Sequence, residues 1–174
     1  MKKRTLLKFL LPALAAPHVL YSETFLTTEQ AAAQLFPGQK LTSARTTLTD
    51  AQKSAIAKAS GVRVRSQEIK AWRASGGGWL IVDNVIGKHE FIDFALALNA
   101  KGEVAGVEVL TYRETYGGEV KNPKWRGQFT GKSAASELKI DSDIKNISGA
   151  TLSCVHLTDG VKRLVHTWNL ALKG

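Results

Sequence analysis

The chain has 174 residues, 44% of them hydrophobic and 22% charged, which suits one globular domain with its own core and leaves little room for two. Its formal net charge of +9 is unevenly placed, because Lys2, Lys3, Arg4 and Lys8 all precede the first acidic residue, Glu23, and residues 23–174 carry only +5. No dense Lys/Arg run lies beyond the N-terminus and no basic helix is interleaved with aromatics, which argues against a nucleic-acid partner.

Residues 1–22 read as a targeting segment. A basic cluster leads into a short apolar stretch from Phe9 to about Ala16, the layout of a secretory signal peptide. The stretch is shorter than the ~20 residues of a spanning helix and is interrupted by Pro12, Pro17 and His18. Ala13-Leu14-Ala15 and the Ser22 position each meet part of a cleavage pattern, and an uncleaved N-terminal anchor is the alternative. The reading divides the chain into 1–22, signal peptide or anchor, and one domain over 23–174. It places that domain in the periplasm or an equivalent extracytoplasmic space, with tethering to the cytoplasmic membrane as a variant. Cys154 is the only cysteine, so an exported domain holds together without an intrachain disulfide.

Two helices are expected first. Thr27-Thr28-Glu29-Gln30 has the form of a capping box, Ala31, Ala32, Leu35 and Phe36 form one face, and Pro37-Gly38 ends the run. The second runs from Asp50 to Ser60, capped by Thr49 and stopped by Gly61. Strands follow at Val62–Arg65, Ile69–Trp72, Trp79–Val82, Phe91–Leu98 and Val104–Tyr112, with turns at Ser75–Gly78 and Asn99–Gly102. Alternation over 104–112 sets Val107 and Val109 on one face and Glu108 and Leu110 on the other. The Gly-containing turns between runs imply an antiparallel meander. From Arg113 to Phe129 the pattern dissolves into a long irregular stretch, too aromatic for disorder. Helical spacing returns over 151–172 with Leu157, Val161, Leu164, Val165, Trp168 and Leu172, and Gly160 predicts a kink or break near Asp159. The fold class is α+β, an antiparallel sheet packed with helices.

The sharpest feature is Asn146-Ile147-Ser148-Gly149-Ala150-Thr151-Leu152-Ser153, just before that helix. Small residues let a backbone approach a ligand, and a helix N-terminus offers unpaired N–H groups to a phosphate. A plain helix cap is the commoner use of such residues. Ser148 to Ser153, however, resembles the flavinylation motif [ST]-G-A-[ST]-x-[ST] at all six positions. That motif belongs to the FMN-binding domain family, which includes flavin-bearing components of the sodium-translocating NADH:quinone reductase and of the Rnf complex. Glu114-Thr115-Tyr116-Gly117-Gly118, followed by Trp125, Gln128-Phe129 and Gly131-Lys132, is similar to a second segment of that family. Many members carry Pro-Gly-Leu-Gly after the Glu-Thr, and Tyr116-Gly117-Gly118-Glu119 replaces it here, as in stand-alone exported members. The resemblance spans roughly residues 80–170.

The resemblance implies FMN joined by a phosphoester to Thr151, installed by a flavin transferase from FAD with Mg²⁺. It implies an electron carrier rather than a stand-alone enzyme, working with a redox chain at the cytoplasmic membrane. The flavin would lie at the strand-to-helix turn near the C-terminal helix. Its site would be Ser148, Gly149, Ala150, Leu152 and Ser153 beside Thr151, with Glu114, Thr115, Tyr116, Gly117, Gly118 and Trp125. Tyr116, Trp125 and Phe129 would pack on the isoalloxazine ring. Two other readings stay open on the residues alone: a sensory FMN-binding module, and an exported domain without flavin in which Thr151 only caps a helix. Trp72, Trp79 and Trp168 read as core. His89, His156 and His166 show no metal-ligand spacing, Cys154 reads as a buried thiol, and Asp141, Asp143 and Lys145 as surface charges.

Overall fold

The structure is a computed structural model that describes residues 23–173. The targeting segment 1–22 lies outside the described residues. No helix among the described residues is long and apolar enough to cross a membrane.

Seven strands form one antiparallel sheet: β1 Glu23–Thr24, β2 Leu41–Ser43, β3 Thr46–Thr47, β4 Glu68–Ala74, β5 Trp79–Ile86, β6 Phe91–Leu98 and β7 Val104–Tyr112. Their order is β1-β7-β6-β5-β4-β2, and β3 pairs with β4 beside β2. The meander β4–β7 is the centre, and the bounds expected for β6 and β7 agree with those observed. The α+β antiparallel class stands. Val62–Arg65, expected as a strand, is not one. Both edges of β4 are already taken, by β5 on one side and by β2 and β3 on the other. The segment therefore joins no ladder, with Val64 buried and Arg63 and Arg65 exposed.

Side-chain size divides the two faces of the sheet. In β6 the large residues Ile92, Phe94, Leu96 and Leu98 join one cluster, while Ala95 and Ala97 join the other. The large-residue face packs against α2 (Asp50–Ser60) and α4 (Thr151–Thr167), and the alanine face accommodates α1 (Thr28–Leu35). Both N-terminal helices carry the complete capping box, Thr27 with Gln30 and Thr49 with Gln52. Gly61 closes α2 at φ 70°.

All six apolar positions read from the spacing of the last helix are buried. No break occurs at Gly160, since α4 is continuous to Thr167 and passes into one wider turn at Trp168–Leu172. A Cβ at Gly160 would lie 2.7 Å from Val85 Cγ1 and 2.9 Å from Phe94 Cζ. The glycine thus permits close helix–sheet approach, and packing outweighs its propensity cost of about 1 kcal/mol. The Arg163 guanidinium pairs with Asp83 at 2.8 Å, tying the same helix to β5.

One irregularity in the sheet positions the site. Asp93 faces Thr111 but Phe94 faces Val109, so Leu110 is an extra residue in β7. Such a bulge shifts every later side chain to the other face. Leu110 points to the α1 side, and Tyr112 returns to the α4 side with Ile92.

Candidate functional site

Among the described residues no strand leads directly into α4, so the expected strand-to-helix turn is a loop-to-helix turn, with only an isolated bridge between Ile140 and Ile144 before it. Ile144 is buried and Lys145–Ile147 run without regular structure into a turn at Ser148-Gly149. The Ala150 N–H closes that turn on the Ile147 carbonyl at 3.0 Å, with Gly149 at φ 86°, a conformation costly for any other residue. Ala150 is the residue flanking the helix and provides no side-chain cap. Thr151 is the first helical residue, so the reading of Thr151 as a helix cap does not hold. Its Oγ1 instead accepts a 3.1 Å hydrogen bond from Asn146 Nδ2, and the residue is exposed. The helix therefore begins with the amides of Thr151, Leu152 and Ser153 lacking intrahelical acceptors, beside a positioned and accessible hydroxyl. Asn146, which set the start of the motif, has a specific role here that the sequence did not assign.

The structure brings the second motif segment to this turn. Gly117 lies at φ 88°, and a Cβ there would stand 2.7 Å from Ser153 Oγ and 2.8 Å from Tyr112 Oη. Tyr112 is the link. Its hydroxyl donates to the Tyr116 carbonyl and lies 3.0 Å from Ser153 Oγ. A phenol has one proton, so Ser153 donates in the second bond. Burial raises the Tyr112 pKa above its ordinary value, so the donor stays protonated at neutral pH. The last hydroxyl of the Ser148–Ser153 motif thus anchors the Tyr116–Gly117 backbone through Tyr112, a residue the sequence reading passed over. Tyr112→Phe removes the partner of both Ser153 Oγ and the Tyr116 carbonyl. It should cost about 1–3 kcal/mol in a denaturant titration and accelerate amide exchange over 116–118.

Glu114 turns away from this junction to the β5–β6 connection. Its Oε1 accepts the His89 N–H at 2.5 Å and the Glu90 N–H at 2.9 Å. Partial burial pushes the carboxyl pKa up, but the backbone donors of Glu90, His89 and Lys88 outweigh it and hold Glu114 below the usual carboxylate range. On the other side of the same connection, His156 Nδ1 meets the Gly87 carbonyl at 2.8 Å. Glu114 is therefore a positioning residue for the turn 87–90. Because its folded pKa is depressed, its stabilisation is fully present above the unfolded value and is lost as pH falls through the folded pKa. Glu114→Gln should cost about 1–2 kcal/mol at pH 7 and flatten that acid limb in pH-dependent unfolding.

Trp125 differs from the expectation of a ring against flavin. It is 5% exposed, meets Phe129 edge-on with centroids 5.2 Å apart, and its Nε1 donates to the Lys145 carbonyl at 2.7 Å. Gln128 Oε1 accepts the Lys145 N–H at 2.8 Å. The irregular stretch, folded as short turns Gly118–Lys121, Pro123–Arg126 and Gly127–Phe129, thus grips both sides of the residue that precedes Asn146. Phe129 is fully buried and is likewise core. A corner packed on the sheet needs an apolar interior, which accounts for both rings.

Around Thr151 the exposed apolar side chains are Tyr116 at 83% and Leu152 at 45%. Thr115, Ser148 and Gly149 are exposed, and Gly118 is half-buried. Cys154 is fully buried, and burial raises its thiol pKa, so it is a packing residue. Asp143, expected as a solvated charge, accepts the backbone N–H groups of Leu138 and Lys139 and pairs with Lys132 at 3.0 Å.

Comparison with known proteins bears on the same region. Over 80 residues the chain is 30% identical to a component, designated G, of the Na(+)-translocating ferredoxin:NAD(+) oxidoreductase complex of Acetobacterium woodii, a match covering 41% of this chain and 39% of that relative. The match therefore spans about two fifths of the relative's length. The family model of the FMN-binding domain matches residues 87–166, which run from the turn held by Glu114 through the Ser148–Ser153 motif to the last turn of α4. It is residues 87–166, which hold the Glu114–Gly118 segment and the Ser148–Ser153 motif, that match the FMN-binding domain family.

Proposed function

We propose that this chain is an exported electron carrier that holds FMN through a phosphoester to the Thr151 hydroxyl. One observation carries the reading. An exposed threonine hydroxyl, oriented by Asn146, stands at a helix start with no side-chain cap. The residues fit the group. The amides of Thr151, Leu152 and Ser153 and the helix dipole suit a phosphate, and Tyr116 and Leu152 offer exposed apolar surface for a ring system. FMN, when bound, supplies reversible redox chemistry. The protein's part is to keep the hydroxyl accessible, to fix the turn through Gly149 and Asn146, and to hold the Tyr116–Gly118 backbone beside it through Tyr112 and Ser153. A covalent link prevents loss of cofactor where free FMN is dilute.

The electron-transfer role is favoured by the relative, which is named as part of a ferredoxin:NAD(+) oxidoreductase complex. The partners in this reading are a flavin transferase and redox components of the cytoplasmic membrane. The basic and then apolar segment 1–22 favours an extracytoplasmic location. The test is co-expression with a flavin transferase, followed by denaturing electrophoresis and intact-mass measurement. A fluorescent band, an added mass of FMN less water, and a modified peptide containing Thr151 are the expected result. A dark band, with the transferase active on a control substrate, overturns the covalent reading.

A further inference from the structure

A groove of about 400 Å³ runs along α4 beside the candidate site. Its lining includes Arg63, Arg65, Lys88, His156, Asp159 and Arg163. In segment 62–65 Val64 is buried while Arg63 and Arg65 are exposed. Lys88 is exposed at the tip of the turn that Glu114 and His156 hold. None of these three cations makes an ion pair among the described residues. Arg163 is neutralised by Asp83. Asp159 is the one acidic residue lining the groove, against Arg63, Arg65 and Lys88. Three cations without an ion pair thus line one opening that holds a single carboxylate, a net positive surface.

The groove and the site share α4. His156 lies four residues after Leu152, so the two occupy one face of α4 about 6 Å apart along its axis. The end of the groove at His156 lies five residues, about 7.5 Å along the axis, from the exposed helix start at Thr151.

We propose that this groove is the docking surface for an acidic redox protein that exchanges electrons with the chain. The inference rests on the FMN reading above for its redox part alone. In that exchange the reduced flavin gives one electron to each of two partner molecules, each carrying a one-electron acceptor, and releases two protons to water. Charge complementarity of this kind acts chiefly on encounter and orientation, and is sensitive to salt because the cations are exposed.

The test uses the full chain, isotope-labelled, titrated at low ionic strength with an acidic c-type cytochrome as probe and with a basic cytochrome c as control. Amide shifts confined to residues 61–65, 87–88 and the 156–163 stretch are expected with the acidic probe only. Binding should weaken about tenfold or more between 10 and 200 mM salt and in the triple variant R63E/R65E/K88E. Electron transfer from flavin-loaded protein to the acidic probe should fall in parallel, while flavin fluorescence on a denaturing gel stays unchanged. Shifts mapping elsewhere, equal response to both cytochromes, or insensitivity to the triple variant would each overturn the docking surface. Salt-sensitive binding through the same residues to vesicles of anionic phospholipid, without binding to the acidic probe, would assign the groove to the membrane and also overturn it. A dark band with intact binding would sink the FMN reading and leave the docking surface standing.

Discussion

On the phosphoester proposal, Thr151→Ala should give a folded protein that takes up no covalent flavin. Thr151 occupies the first position of α4 without capping it, and its side chain makes one hydrogen bond, to the partly exposed Asn146 amide. Water replaces that bond, so stability should change by less than about 0.5 kcal/mol, the usual range for a surface substitution. Attachment, by contrast, needs the oxygen and should fall to zero. The separation between an intact unfolding transition and a dark gel band is the signature of an attachment residue. Thr151→Ser keeps the oxygen and loses the methyl that restricts χ1. Partial labelling is expected there, slower than wild type because the hydroxyl visits other rotamers. A cap-only residue would behave otherwise, with a loss of about 1 kcal/mol and indifference to flavin. If Thr151→Ala still acquires a covalent flavin, the phosphoester site is elsewhere and the reading of the motif fails.

Gly117→Ala should be the most damaging single-atom addition near the site. Two costs combine. A left-handed φ of 88° strains any side-chain-bearing residue by about 1–2 kcal/mol. The new Cβ would also stand 2.7 Å from Ser153 Oγ and 2.8 Å from Tyr112 Oη, neither of which is the free end of a long flexible chain. Relief requires moving the 114–118 backbone away from the Ser148–Ser153 turn, breaking the Tyr112 junction. A total loss of about 2–4 kcal/mol is expected by thermal or denaturant unfolding, with flavin attachment reduced in step. Gly118→Ala is the control. Its Cβ would press only on the flexible Lys121 side chain, 3.2 Å to Cε, with Tyr112 Cε1 in ordinary contact at 3.7 Å, and its φ lies outside the left-handed region. Equal losses in the two variants would show that the segment tolerates or rejects side chains for a reason unrelated to the Tyr112–Ser153 contact.

Much of the scaffold was legible from local pattern. Capping boxes mark α1 and α2, alternation and glycine turns delimit β6 and β7, and three-four spacing identifies the buried stripe of α4. Each of these signals lies within a few residues, where backbone preference and side-chain periodicity act directly. The Ser148–Ser153 motif was legible for the same reason, as a contiguous string before a helix.

The roles inside the site came from contacts distant in sequence. Strict alternation would send Tyr112 to the face of Leu110, and the extra residue in the β7 ladder reverses it. Glu114 bonds with amides 24 and 25 residues earlier, and Trp125 reaches a carbonyl 20 residues later. Val62–Arg65 has a strand's alternation but no free edge of β4 to join. Gly160 carries a propensity cost that its fit against Val85 and Phe94 overrides. Composition and periodicity report what one segment prefers. Ladder register, edge occupancy and the partner of a buried polar group depend on which segments meet, and those are settled only when the sheet and α4 close around a common core.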